Sequence, residues 1–484
     1  MLNLLLLLVY TMVLCLAGFF AGRFVFRRAG GIPAEWWLPV SFAMGLGIQT
    51  LIYSLFLLVL GRVYFPATAA LMVALAIGGL TWRSREIAAD FQGAEIMAAP
   101  QDRSQWGIYW LLLIFLAYMH SLLFANALTY PFTSYDGRAI WNLKAAILFH
   151  EQTVFTDAYT DPYRVHYHRN YPHLIPFAWY SLYSTLGEVN ERQARFFLSL
   201  FFLFQSLFFY GMLRKFAINK VVAVLVPLLF SALAFRDDWS EVDGTALNSG
   251  SVDIPLSFFA MVAVSANLLW WREGQRWQWL LAGIFGGLCL LIKAEGIIIV
   301  AAMLGANLLY CMVGPHTKWK SGLGITGRVF LGSVLVALLW MLVQRQLPNL
   351  YDEEYGKQLR WSVLSKSPER LPPILGRLWQ EITTLDKWNF FWLAYLLVLM
   401  ASVRDWFRRR SFWLDSVLLL WAAAYLFTYL VSPLNLAFHL ETSMARLLSH
   451  MLPLVLLKLC LFSQRMLSSE WEETPSPQDD LSPL

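Results

Sequence analysis

The chain has 484 residues, 58% of them apolar and 14% charged, where a soluble domain carries about 25% charged residues; that composition excludes a water-soluble globular protein. Its net charge of +5 is concentrated in short loops, as membrane topology requires, and needs no nucleic acid to explain it. Apolar runs near 20 residues recur throughout, each long enough to cross ~30 Å of hydrocarbon as a helix, and a β-barrel would show short alternating strands instead.

The first run, MLNLLLLLVYTMVLCLAGFFAG, has no basic residue ahead of it, and Arg23, Arg27 and Arg28 follow. It reads as a retained span near 2–22 that enters with its N-terminus outside, rather than as a cleaved signal peptide. Further spans are expected near 36–59, 64–81, 107–128, 196–213, 221–235, 254–271, 277–292, 296–313, 328–345, 389–403, 412–432 and 447–463. The chain is therefore read as an all-α polytopic membrane protein with about thirteen transmembrane helices. Basic loops alternate with poor ones: Arg83/Arg85/Arg103, Arg214/Lys215/Lys220, Arg272/Arg276, Lys318/Lys320/Arg328 and Arg404/Arg408/Arg409/Arg410 against single Arg62, Arg236, Lys293 and Arg446. The basic set is expected in the cytoplasm, which puts 130–195, 236–253 and 346–388 outside. Two interfacial helices are expected in the first of these, in RAIWNLKAAILF and in YPHLIPFAWYSLYSTLG. One membrane domain spans 1–463, and the acidic, Pro- and Ser-rich 464–484 reads as a disordered cytoplasmic tail. Cys15, Cys289, Cys311 and Cys460 fall inside predicted spans, so no disulfides are expected.

Ionisable groups held against a bilayer tend to be functional. Asp136, in SYDGR just past a span, reads either as a general base at the outer face or as a helix N-cap. Arg138 and Lys144 nearby could pair with it or bind a phosphate. Asp253, in NSGSVDIPLSFF, also reads as an N-cap, with Pro255 in the first turn. Lys293 and Glu295 interrupt an apolar run in LLIKAEGIII: either a hairpin turn or a cation awaiting an anionic headgroup. His166, His168 and His173 fit no standard zinc spacing. Asp237, Asp238, Glu241 and Asp243 read as a solvated loop, with cation binding as a second reading. HLETSMARLLSH places His439, Glu441, Arg446 and His450 at an outer helix start, for phosphate contact or helix anchoring. No GxSxG, Walker loop, HExxH or GxGxxG pattern appears, so chemistry driven by a cytoplasmic nucleotide is not suggested.

Taken in order, Asp136 in SYDGRAIW, the Tyr-Pro-x-Leu of YPHLIP, Asp253 in VDIPLSFF, GLCLLIKAEG and ARLLSHMLPL resemble the GT-C superfamily of membrane glycosyltransferases. The similarity is to the bacterial group of protein O-mannosyltransferase-like and aminoarabinose-lipid transferases, and it covers roughly 130–455. Four predicted spans precede Asp136 where that group has one, and its acidic pair is here a lone Asp136 followed by Gly137. The resemblance implies a multi-pass protein of the bacterial inner membrane whose site faces the periplasm or exterior. A sugar on a polyprenyl phosphate would be the donor, and a hydroxyl of a lipid, glycan or protein the acceptor. Asp136, with Asp253, would supply the catalytic carboxylate, and Lys293, Arg446, Arg138 and Lys144 would hold the donor phosphate. Tyr135, Trp141, His168, Tyr171, Pro172, His173, Glu295 and His450 would line the pocket. No cofactor is implied beyond room for a divalent cation. Two other functions fit a many-spanned chain: a lipid-linked glycan flippase or transporter, which would place broken helices and polar groups at mid-membrane, and a surface-polysaccharide polymerase or ligase.

Overall fold

A computed structural model of the chain describes residues 2–27, 31–81, 103–161, 168–169, 171–233, 250–313, 319–348, 355–365, 367–407 and 412–467. His166, the acidic loop from Asp237 to Asp243 and residues 468–484 lie outside them. Every regular element among the described residues is helical. The longer ones are α1 (Leu2–Phe26), α2 (Trp37–Leu60), α3 (Phe65–Thr81), α4 (Trp106–Thr129), α5 (Leu143–Glu151), α6 (Leu174–Leu186), α7 (Glu191–Lys215), α8 (Lys220–Leu233), α9 (Asp253–Glu273), α10 (Arg276–Ile292), α11 (Gly296–Val313), α12 (Trp319–Gln344), α13 (Ser367–Thr383), α14 (Phe391–Phe407), α15 (Phe412–Leu430) and α16 (Leu436–Leu467).

Among the described residues, nine of these helices are long and apolar enough to cross a membrane: α1, α2, α4, α7, α9, α11, α12, α15 and α16. The chain is a multi-pass helical membrane protein. The four remaining predicted spans fall on α3, α8, α10 and α14, whose apolar stretches among the described residues run 10–17 residues. The last helix continues to Leu467, because KLCLFSQRML carries no helix breaker, so the expected tail boundary at 464 falls within a helix.

Two helices form the centre. In α7 and α9, 89% and 83% of the apolar window is buried, against 17% in α4, which leaves α4 at the periphery. The reason lies in the side chains. Phe197, Phe201, Phe204 and Phe208 recur at helical spacing along α7 and are buried. Phe201 meets Phe258 and Phe259 of α9 at 6.4 and 6.0 Å between ring centroids, and Phe259 meets Phe285 of α10 at 5.6 Å. Such tilted aromatic pairs each add about 0.5–1.5 kcal/mol beyond the area they bury.

Helices form at both predicted interfacial stretches, and one of them is placed differently. Every residue of α6 from Leu174 to Tyr183 is buried, so α6 packs into the bundle instead of lying on its surface. Nine of those ten residues are apolar or aromatic, and the tenth, Ser181, is matched inside the bundle by the Tyr53 hydroxyl at 2.6 Å, so no charged face holds the helix at a water boundary. In the third segment expected outside, α13 is amphipathic: Leu371, Leu375 and Trp379 are exposed on one stripe while Ile374, Glu381 and Ile382 are buried.

Candidate active site

The segment after α4 is anchored by a buried arginine. Arg195 Nη1 donates to the carbonyls of Tyr130 and Pro131 at 3.2 and 2.9 Å, and Nη2 to Asn126 Oδ1 at 2.7 Å, closing the frayed end of α4. Six residues on, the Gly137 N–H is taken by Ser134 Oγ at 2.9 Å, ahead of a π-helical turn, Gly137–Asn142, that leads into α5. The capping duty is thus met by Ser134, and Asp136 makes no cap hydrogen bond; its carboxylate is turned elsewhere. Gly137 packs directly on Gly250, where an added Cβ would stand 3.0 Å from the Gly250 Cα. This contact brings Asp136 alongside the start of α9.

Asp253 is the first residue of α9 and makes no cap hydrogen bond either. Instead it is the hub of an ion-pair network. Its Oδ1 accepts from Lys293 Nζ at 3.0 Å and from His450 Nε2 at 2.8 Å, and its Oδ2 from Arg446 Nε at 2.8 Å. Arg446 Nη2 lies 2.6 Å from Asp136 Oδ2, and Lys293 Nζ 2.8 Å from Glu295 Oε1. A carboxylate has no hydrogen to give, so His450 carries one on Nε2, and Nδ1, 2.8 Å from Tyr425 Oη, accepts from that phenol when the ring is neutral. Arg446 and His450 reach the same hub because i and i+4 share one face of α16. Lys293 reaches it because α10 stops there: its backbone is extended, and the Gly296 N–H returns to the Lys293 carbonyl at 3.0 Å.

The three carboxylates differ in freedom. Both oxygens of Asp253 are engaged and its side chain is 2% exposed, whereas that of Asp136 is 23% exposed and its Oδ1 has no partner among the described residues. Glu295 Oε2 is buried and makes no hydrogen bond there. Burial alone would lower the Lys293 pKa, but the Asp253 and Glu295 carboxylates outweigh it and raise the pKa above the ordinary lysine value. Burial alone would raise that of Glu295, yet the Lys293 ammonium brings it below the usual range. Both groups are therefore charged near neutral pH.

His168 and residues 171–173 lie beside this cluster. His168 has its pKa lowered to about 4, chiefly by burial, with the Asp136 and Glu295 charges opposing and the Lys144 and Lys293 charges assisting; it is neutral at pH 7. Its ring stacks on Tyr171 with centroids 4.3 Å apart, and Tyr171 tilts against the buried Trp141. Lys144 is buried: its Nζ donates to the His168 carbonyl at 2.5 Å and to that of Tyr171 at 3.3 Å, over the Trp141 ring. It holds the segment down rather than offering a bare charge. His173 is likewise in the core, donating from Nδ1 to the Tyr171 carbonyl at 2.8 Å and stacking on Trp340 at 4.2 Å, with Pro172 buried beside it. Arg138 and Tyr135 are exposed at the rim.

The six residues Asp136, Asp253, Lys293, Glu295, Arg446 and His450 thus meet in one network, while Lys144 and His173 serve the segment above it. Tyr425 completes the His450 chain and is indistinguishable in sequence from the other aromatic residues of α15. No group of three or more His, Cys, Asp or Glu side chains among the described residues is arranged for a metal ion. An apolar cavity of about 340 Å³, lined by Cys15, Phe19, Trp37, Leu207 and Tyr210, lies at the far end of α7 from this cluster.

Gly250 adopts φ +110°, and a Cβ there would overlap the Phe132 ring. Gly250→Ala is expected to lower stability by about 1–3 kcal/mol and to loosen the Asp136–Arg446 pair, read as a lower melting temperature with Gly137 and Asp253 intact. An unchanged melting temperature would show that the Gly137–Gly250 contact does not fix the site.

No family model matches this chain, and no curated protein or solved structure matches it either.

Proposed function

We propose that the chain is an inverting glycosyltransferase that moves a sugar from a polyprenyl-phosphate donor to a hydroxyl of a lipid, glycan or protein, as its resemblance to the GT-C superfamily implies. The observation that carries the reading is the convergence of Asp136, Asp253, Lys293 and Arg446, up to 310 residues apart in the chain, into one network where α9 begins and α10 ends.

Asp136 is the general base, because it is the most open of the three carboxylates and has an oxygen to spare. Asp253, with both oxygens bonded, positions the two cations and takes no proton. The acceptor hydroxyl gives its proton to Asp136 as its oxygen attacks the anomeric carbon. The bond from that carbon to the phosphate oxygen breaks on the opposite face, and the polyprenyl phosphate leaves with the electron pair. Lys293 and Arg446 stabilise the negative charge that develops on it. Arg138, at the rim, assists the approach of the phosphate, and Tyr135 borders the acceptor side. Polar groups gathered at one end, rather than at the middle of broken helices, favour transfer over transport.

In a bacterial host, lipid extracts of a strain lacking this protein should accumulate a polyprenyl-phosphate-linked sugar and lose one surface modification. A lipid profile identical to that of the parent contradicts the reading. The alternation of basic loops supports a site at the periplasmic or outer face. In a background with its four cysteines replaced, Glu369→Cys should then react with an impermeant thiol reagent from outside and Ser411→Cys only after lysis. Labelling of both from outside would overturn that orientation.

A further inference from the structure

Resting on the phosphate reading above, we propose that Glu295 occupies, on Lys293, the position that an anionic oxygen of the lipid phosphate takes, and that it moves aside when the phosphate binds. The charge balance requires something of this kind. Three carboxylates, Asp136, Asp253 and Glu295, face two permanent cations, Lys293 and Arg446, and one histidine. A phosphate entering that set meets no net positive charge, and charges brought together out of water interact strongly. One carboxylate must give way.

Asp253 cannot. It is fixed on the first turn of α9, both its oxygens are bonded to three donors, and removing it would cost each of the three a bond and leave His450 Nε2 without its acceptor. Asp136 is needed where it is, if it takes the acceptor proton. Glu295 is tied by a single contact, Oε1 to Lys293 at 2.8 Å, while Oε2 bonds to nothing among the described residues. Its side chain is the longest of the three and 20% exposed, and it stands in the turn between α10 and α11 rather than inside a helix. When it leaves, Lys293 keeps Asp253 at 3.0 Å, so no ammonium is left unpaired. A buried carboxylate oxygen without a donor is itself costly, which lowers the barrier to the exchange. The phosphate then takes over the vacated side of Lys293 and bridges toward Arg446.

The test is binding of polyprenyl monophosphate, the leaving group, to the full-length protein in phosphatidylcholine nanodiscs, with inorganic phosphate as a parallel probe. Glu295→Gln removes the competing charge and keeps the shape, and Glu295→Ala removes both. Each should tighten lipid-phosphate binding by about tenfold, while Lys293→Ala abolishes it. Unchanged or weaker binding in both Glu295 variants, with wild-type binding intact and lost in Lys293→Ala, overturns the displacement and leaves the phosphate site standing. A gain confined to inorganic phosphate overturns it for the lipid. No lipid-phosphate binding by the folded wild type overturns the phosphate reading itself, and the displacement with it.

Discussion

Asp253→Ala is expected to destabilise the protein by about 3–5 kcal/mol, the cost of breaking a buried ion pair by removing one partner. The site has no slack to absorb the loss. Lys293 would retain Glu295 and Arg446 would retain Asp136, but Lys293 is buried and Arg446 half-buried, and each would lose its second carboxylate. His450, which is fully buried, would lose the acceptor for Nε2 altogether. Asp253→Asn is milder in shape yet faces the same difficulty: its amide NH₂ must point at either Arg446 or the Lys293–His450 pair, all of which donate. Both variants should show lower melting temperatures in detergent, with Ala lower than Asn and both lower than any single change at Asp136. A melting temperature within about 1 °C of wild type for Asp253→Ala would show that the network contributes nothing to the fold.

Asp136→Asn is expected to lower turnover by about 10²–10⁴-fold, the usual worth of general-base assistance, while the protein folds normally and still binds donor. Its ion pair with Arg446 is half-buried, with side chains 23% and 15% exposed, and Arg446 keeps Asp253 when it is lost. The kinetic split matters. A base lost from the reacting centre lowers kcat with little change in donor KM, whereas a carboxylate that only orients Arg446 would raise donor KM and spare kcat. Full turnover in Asp136→Asn would remove it from the mechanism, and Glu295, with its free oxygen, would be the carboxylate to test next.

The spans are legible because apolar length is a property of the sequence alone, and the end of α10 is legible as well: Lys293 closes the helix. The site was harder. Asp136 and Asp253 each satisfy the local rule for a helix cap, yet Ser134 takes that duty beside Asp136, and Asp253 turns to an arginine 193 residues away. A local rule cannot see such a partner. What could be seen was the anomaly of Lys293 and Glu295 inside an apolar run, and of Arg446 and His450 one turn apart in an outer helix. Lys144 and His173 look equally polar in sequence, but direction decides their part: Lys144 turns to two carbonyls, and His173 to Tyr159, Tyr171 and Trp340. For α6, aromatic richness suits an interface as well as a core, and the absence of any charged residue sends it into the core.

The account stands most directly on whether the protein releases polyprenyl phosphate from a sugar donor. Purified wild type and Lys293→Ala, each in nanodiscs, would be given a panel of radiolabelled polyprenyl-phosphate hexoses and pentoses together with membrane extract as acceptor source. The account predicts that wild type consumes one member of the panel, transferring the label and liberating polyprenyl phosphate with inversion at the anomeric carbon, and that Lys293→Ala does not. A folded wild-type protein that neither binds nor consumes any of these donors, or a Lys293→Ala variant that matches its rate, would contradict it.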